Sequence, residues 1–318
     1  MGSLAKLLFG ISPRETTSAR RGFRGFRGSR SGVQERLDNV GRCFLTGYHA
    51  ALENDRLDSL IPRLDQMAPD WRGFTYEGAA MGLALLDWIT PWRRRRVAEF
   101  LRREGDAHAY MVHVGAGWVL ARVPGNVEKF LSRFDPLLRW LVVDGYGFHE
   151  GYFRWPHYLA GQPAPARLKG YARRVFDQGL GRCLWFIEGA GIPQIASAIG
   201  ALPSERQPDL WSGVGLAAVY AGEAGPEDLH LLRAAAGPCL SHLAQGAAFA
   251  AKARQRAGNL SAYQDAACRI LCGLPSLDAA QLTDDMLENL PANGAEQAYE
   301  IWRQRIQARI LPLAAVRT

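Results

Sequence analysis

The chain has 318 residues, 48% apolar and 22% charged, which is the balance of a globular protein with enough length for one large domain or two ordinary ones. Nothing in it approaches the roughly 18 to 20 apolar residues of a membrane helix, since Met81–Ile89 is broken by Asp87 and followed by Pro91 and four arginines. The net charge of +7 argues for nucleic acid only until it is placed: residues 1–30 hold seven basic residues and one acid, and residues 31–318 are almost neutral, with 31 basic and 30 acidic.

Residues 1–33 therefore read as a basic N-terminal arm. Its apolar run, Lys6–Ile11, is too brief for a signal sequence and no small-residue cleavage site follows, so the protein is expected to be cytoplasmic. Within Arg20–Arg30, arginine alternates with Gly and Phe. Such a segment can bind RNA or an anionic surface. The plainer reading docks Phe23 and Phe26 on the body and leaves the arginines wet, and nucleic acid is not expected as a partner.

The remainder, 34–318, reads as a single helical-repeat domain: an N-terminal cap over 34–70, repeats over 71–260 and a C-terminal cap over 261–318. In the first cap Val40, Phe44, Tyr48 and Leu52 recur near helical spacing, and Pro62 and Pro69 break the run. Arg93–Arg96, after Pro91, is expected to be a solvated helix face. The five cysteines, Cys43, Cys183, Cys239, Cys268 and Cys272, are odd in number and scattered. They suggest reduced, buried thiols rather than a disulfide framework. Cys268 and Cys272 stand four apart, but no further ligands at zinc spacing lie near them.

From residue 77 onward one pattern recurs: a polar or apolar residue, Gly, any residue, then Gly or Ala. The copies are Glu77-Gly78-Ala79-Ala80, Val114-Gly115-Ala116-Gly117, Asp144-Gly145-Tyr146-Gly147, Gln178-Gly179-Leu180-Gly181, Ser212-Gly213-Val214-Gly215 and Gln245-Gly246-Ala247-Ala248. Their first positions are 37, 30, 34, 34 and 33 residues apart, and an apolar run follows each copy. A period of about 34 residues with one apolar and one amphipathic helix per unit is the signature of stacked helix pairs. The expected fold is all-α, with about six tandem helix pairs that close into an α/α toroid or, alternatively, form an open α-solenoid. In the C-terminal cap Tyr299, Trp302, Ile306 and Ile310 share a helix face. No strand precedes the Gly-x-Gly copies, so they are weak evidence for a dinucleotide.

If each copy heads its apolar helix, helix N-termini gather on one side, and Glu77, His113, Asp144, His149, Gln178, Ser212 and Gln245 converge on one rim. Tyr76, Tyr110, Trp118, Tyr146 and Trp211 would wall the pocket. His113, Asp144, His149 and Glu77 are the candidates for acid/base chemistry. Each also has a plain reading: His113 as a core histidine, Asp144 as an N-cap, and Glu150 in a surface ion pair with Arg154. Glu77 and Glu188, in apolar settings, need a partner, for which Lys252 is the candidate. No zinc box, phosphate loop or Ser/His/Asp order stands out, and no pattern specifies a cofactor.

Several long strings carry a family resemblance: Arg21-Gly-Phe, Arg72-Gly-Phe-Thr-Tyr-Glu-Gly-Ala-Ala-Met-Gly-Leu-Ala-Leu-Leu-Asp, Tyr110-Met-Val-His-Val-Gly-Ala-Gly-Trp, Asp144-Gly-Tyr-Gly-Phe-His-Glu-Gly-Tyr-Phe, Asp209-Leu-Trp-Ser-Gly-Val-Gly-Leu-Ala and Ala244-Gln-Gly-Ala-Ala-Phe-Ala-Ala-Lys-Ala-Arg. Over most of its length the chain resembles the bacterial UnbL-type family, a domain of unknown function encoded beside enediyne polyketide synthases. The resemblance implies a part in maturing an enediyne core from a linear polyene, with the synthase and its companion proteins as partners. It brings no catalytic residue list. The expected function is an accessory biosynthetic protein that cyclises or isomerises a hydrophobic polyene or polyyne intermediate. The alternative is a non-catalytic carrier or scaffold that shields the intermediate or docks the synthase.

Overall fold

A computed structural model describes residues 2–15, 31–90, 92, 95–222, 224–291 and 296–315. The arm Arg20–Arg30, with Phe23 and Phe26, lies outside the described residues, as do Arg93 and Arg94. Among the described residues the regular structure is helical throughout, in tandem helix pairs, and no helix is long and apolar enough to cross a membrane. Two compact units divide the chain, and the division falls inside one helix, between Tyr146 and Gly147.

The first unit carries α1 (Gly2–Phe9), α2 (Ser31–Glu53), α3 (Leu57–Asp65), α4 (Pro69–Ile89), α5 (Arg96–Leu101), α6 (Ala109–Trp118), α7 (Val127–Leu131) and the opening turns of α8 (Arg139–Leu159). Helices α2, α4 and α6 pack side by side. All of α6 and residues 73–87 of α4 are buried, so these helices are predominantly apolar all round, with Thr75, Glu77, Asp87 and His113 as buried polar exceptions. Pro69 starts α4 at a position where no backbone N–H is needed.

The second unit carries the rest of α8, then α9 (Tyr171–Ile187), α10 (Ile192–Gly200), α11 (Gln207–Tyr220), α12 (Pro226–Ala236), α13 (Leu240–Arg256), α14 (Ala262–Leu271), α15 (Ser276–Asp285) and α16 (Ala298–Ala315). Here α9, α11 and α13 form the core row. Helices α10 and α12 bury one stripe each, Ile192, Ile195 and Ile199 on one and Leu229, Leu232 and Ala236 on the other. That is the alternation of apolar and amphipathic helices the repeat predicts. Ser261 opens α14 with a capping box closed by Gln264. In α8, Arg154 leaves helical geometry (φ −132°, ψ 27°) two residues before Pro156, the kink proline imposes.

The repeated glycines fix how the core helices meet. A methyl added to Gly115 of α6 would lie 2.0 Å from the carbonyl oxygen of Glu77 in α4, and one on Gly117 would lie 1.9 Å from that of Val142 in α8. The contacts of Gly115, Gly117, Gly145, Gly147, Gly181, Gly213, Gly215 and Gly246 follow one rule. The first glycine faces the carbonyl of the pattern's first residue in the preceding helix. The second faces the carbonyl three residues before the first glycine of the next. Gly145 thus meets Val114, Gly147 meets Phe176, Gly181 meets Leu210, Gly213 meets Gln178, Gly215 meets Leu243 and Gly246 meets Ser212. Backbone approaches backbone without a side chain between, the geometry of Cα–H···O contacts. The rule also exposes a copy hidden in the sequence. Gly47 of α2 faces the Thr75 carbonyl and Gly78 faces that of Phe44, so α2 joins the same ladder. Leu45 stands where its first glycine would be, which concealed it.

Arg96 corrects the expectation of a solvated arginine face. It is buried and bonds Asp55 (2.6 Å), Asp87 (3.2 Å) and the Thr90 hydroxyl (2.9 Å). The four buried cysteines and the partly buried Cys239 are all free thiols, and burial pushes the Cys43 thiol up to about 11.

Candidate functional site

The glycine pattern lies inside its helices, not at their heads. Gly78 is midway along α4, Gly179 midway along α9, and Gly115 near the end of α6. The polar residues beside the glycines therefore do not stand among unbonded helix N–H groups, and Asp144, in the second turn of α8, is not an N-cap. They sit where backbones come closest, inside the packed interior.

In the first unit the interior gathers Glu77, Trp118, His113 and several of the predicted aromatics. The Trp118 indole N–H donates to the Glu77 carboxylate (3.2 Å), and its ring stacks on Phe44 at 4.3 Å between centroids. The partner of Glu77 across the repeat is thus an aromatic N–H, one unit on. His113 bonds the Ala109 carbonyl through Nδ1 at 2.6 Å, which makes Nδ1 the protonated nitrogen and Nε2 the basic one. Its ring lies 5.5 Å from that of Phe134. Tyr76 is buried against Phe100 and His108, and its hydroxyl donates to Asp65 (2.9 Å). Tyr110, Asp144 and Tyr146 are buried as well. Changing Trp118 to Phe should lower stability by about 1–3 kcal/mol, because a buried carboxylate loses a donor; urea unfolding measures it.

The second unit brings together Gln178, Ser212 and Gln245, three residues that the repeat placed on one rim. Ser212 donates to Gln245 (3.0 Å), and Gln178 approaches the Tyr299 hydroxyl (3.5 Å). Their meeting point is α16, which sequence reasoning assigned only to a cap. From it the fully buried Arg303 donates to Gln245 (3.1 Å), pairs with Asp209 (2.8 Å) and Glu300 (3.1 Å), and reaches the Tyr171 hydroxyl (3.3 Å). Tyr171 in turn donates to Glu300 (2.8 Å). Arg174 closes the network from its half-exposed edge, with Asp209 and Glu300 each at 2.9 Å. Two guanidiniums thus face two carboxylates. Burial works against the Asp209 carboxylate, but Arg303 and Arg174 outweigh it and hold its pKa below the ordinary value. Burial and Arg303 keep the nearby His242 imidazole neutral more strongly than usual.

The other predicted residues have different neighbours. His149 is buried on Phe153 (4.6 Å), and Glu150 is not at the surface. Its carboxylate accepts from Tyr158 (2.7 Å) and Arg154 (3.3 Å). Trp211 and Glu188 are buried. Lys252 pairs with Asp284 (2.6 Å) rather than with either predicted glutamate. Among the described residues no group of three or more His, Cys, Asp or Glu is placed to hold a metal ion. A groove of about 740 Å³ in the first unit is lined by none of the predicted site residues.

No curated protein and no solved structure matches the chain. Over residues 1–310 it matches the family described as "Protein of unknown function (DUF1702)", and it belongs to that family.

Proposed function

We propose that the protein is an accessory factor of natural-product biosynthesis that holds a hydrophobic polyene or polyyne intermediate during maturation of an enediyne core, as a carrier or scaffold beside the polyketide synthase and its companion proteins. The pathway rests on the motif resemblance set out above. The preference for holding over transforming rests on one observation: the carboxylates and imidazoles picked out for acid/base work are tied into the interior. Glu77 is bonded by Trp118 and His113 by its own helix, while Asp144 is fully buried and His149 is buried against Phe153. Side chains engaged in this way contribute to packing and polar satisfaction before chemistry.

Catalysis is the second reading, and the fixed tautomer of His113 favours it. With Nδ1 donating to Ala109, Nε2 is the atom that would accept a proton from a bound polyene. Cyclisation, or an isomerisation that moves a double bond out of the conjugated run, would shorten the conjugation. Purified protein mixed with the linear polyene, with the partner proteins present, should slow the decay of the polyene absorption without moving its maxima. A shift to shorter wavelength instead marks catalysis. Producer strains carrying His113→Ala or His149→Ala, each shown to be folded by circular dichroism, should keep full product titre. A collapse of titre with the fold intact would overturn the carrier reading.

A further inference from the structure

The first unit carries a groove of about 740 Å³ lined by residues 55–58 at the start of α3, by Trp92, and by Arg95, Arg96, Glu99, Arg102 and Arg103. Its volume falls within the range of small-molecule sites. The acids and bases around it are unevenly matched. Asp55 is held by Arg96 (2.6 Å) and Asp58 by Arg103 (2.7 Å), so those pairs cancel. Arg56, Arg95 and Arg102 line the same groove, are exposed, and have no ion-pair partner among the described residues. Against them stands one unpaired lining carboxylate, Glu99. The groove thus holds a surplus of free guanidiniums in an otherwise almost neutral body.

Beside them Trp92 lines the groove and is 74% exposed. An indole so open to water forgoes most of the burial that usually places tryptophan. Guanidiniums match phosphate oxygens in pairs, and an indole face stacks on a flat ring. We propose that this groove binds a phosphate-bearing ligand with a flat ring, of the nucleoside di- or triphosphate class, with the phosphates on Arg56, Arg95 and Arg102 and the ring on Trp92. Free guanidiniums on a concave surface also raise the local concentration of anions. The site is independent of the carrier reading, since it shares no residue with the interior described above.

Isothermal titration calorimetry on the full chain tests it, with ATP, inorganic pyrophosphate, adenosine and an oligoglutamate peptide as probes. ATP should give saturable binding that weakens with salt. The exposed double variant Arg56→Gln/Arg102→Gln, folded by circular dichroism, should weaken ATP and pyrophosphate by at least about tenfold, the loss of charge-assisted hydrogen bonds. Trp92→Ala should weaken ATP and leave pyrophosphate unchanged. No saturation by ATP below about 1 mM, or equal binding to the double variant, overturns the proposal. So does tighter binding of oligoglutamate than of ATP, which would assign the groove to an acidic protein segment.

Discussion

Replacing Arg303 with methionine is expected to destabilise the protein by about 3–5 kcal/mol, the cost of leaving buried carboxylates without their cation. Arg303 is fully buried, and Asp209 and Glu300 are buried with it. Arg174 remains in the variant, but it is half-exposed and reaches the pair from the edge, so it cannot fill the space that Arg303 leaves. Urea midpoints measure the loss. A triple change, Arg303→Met with Asp209→Leu and Glu300→Leu, should recover part of it, because removing a buried ionic network whole costs far less than breaking it. If the single variant loses less than about 1 kcal/mol, the network is not closed as described.

The same network sets an acid limit. A carboxylate whose pKa is depressed in the folded state binds its proton more readily when unfolded. The stability from Asp209 is therefore complete above the ordinary carboxylate value near about pH 4 and disappears as the pH falls below it. In Arg303→Met the principal cation is gone, so that part of the acid limb should flatten.

The second large effect belongs to the glycine ladder. Gly213→Ala should cost at least about 3 kcal/mol or prevent folding. The added methyl would lie 1.9 Å from the Gln178 carbonyl oxygen and 2.6 Å from the Arg182 nitrogen, both main-chain atoms of α9. A flexible side chain could swing away, but a helix backbone moves only as a body. Gly200→Ala is the control: nothing lies within 4 Å of its added methyl. That change should be neutral or stabilise by up to about 1 kcal/mol, since Ala is the better helix former. Thermal unfolding of the two variants side by side measures the contrast.

The ladder explains which parts of the fold were readable. Even spacing of Gly-x-Gly betrays the repeat because each glycine that meets a neighbouring main-chain carbonyl leaves no room for a side chain. The helix ends carry no comparable marker, so the pattern was placed at the heads and Asp144 was given a capping role. Gly47 escaped because Leu45 takes the place of one partner. The ionic network was unreadable for a different reason. Helical periodicity sends charged residues to the wet face, and only the distant Asp209, Tyr171 and Arg174 reveal that Glu300 and Arg303 point inward. Glu77, in contrast, was rightly suspected of needing a partner from its apolar surroundings, although the partner proved to be the Trp118 indole and not Lys252.

The rungs between core helices consist of main-chain atoms on one side and a missing side chain on the other. The register of each helix on its neighbour is therefore written in the backbone, not in the shapes of the residues that fill the remaining faces. Exchanging Phe44, Trp118 or Phe249 for a residue of similar bulk should therefore leave the helix register in place, whatever it does to stability. The frame separates alignment from content: the same stack of helices can be refurnished for a different occupant while its coordinates stay put.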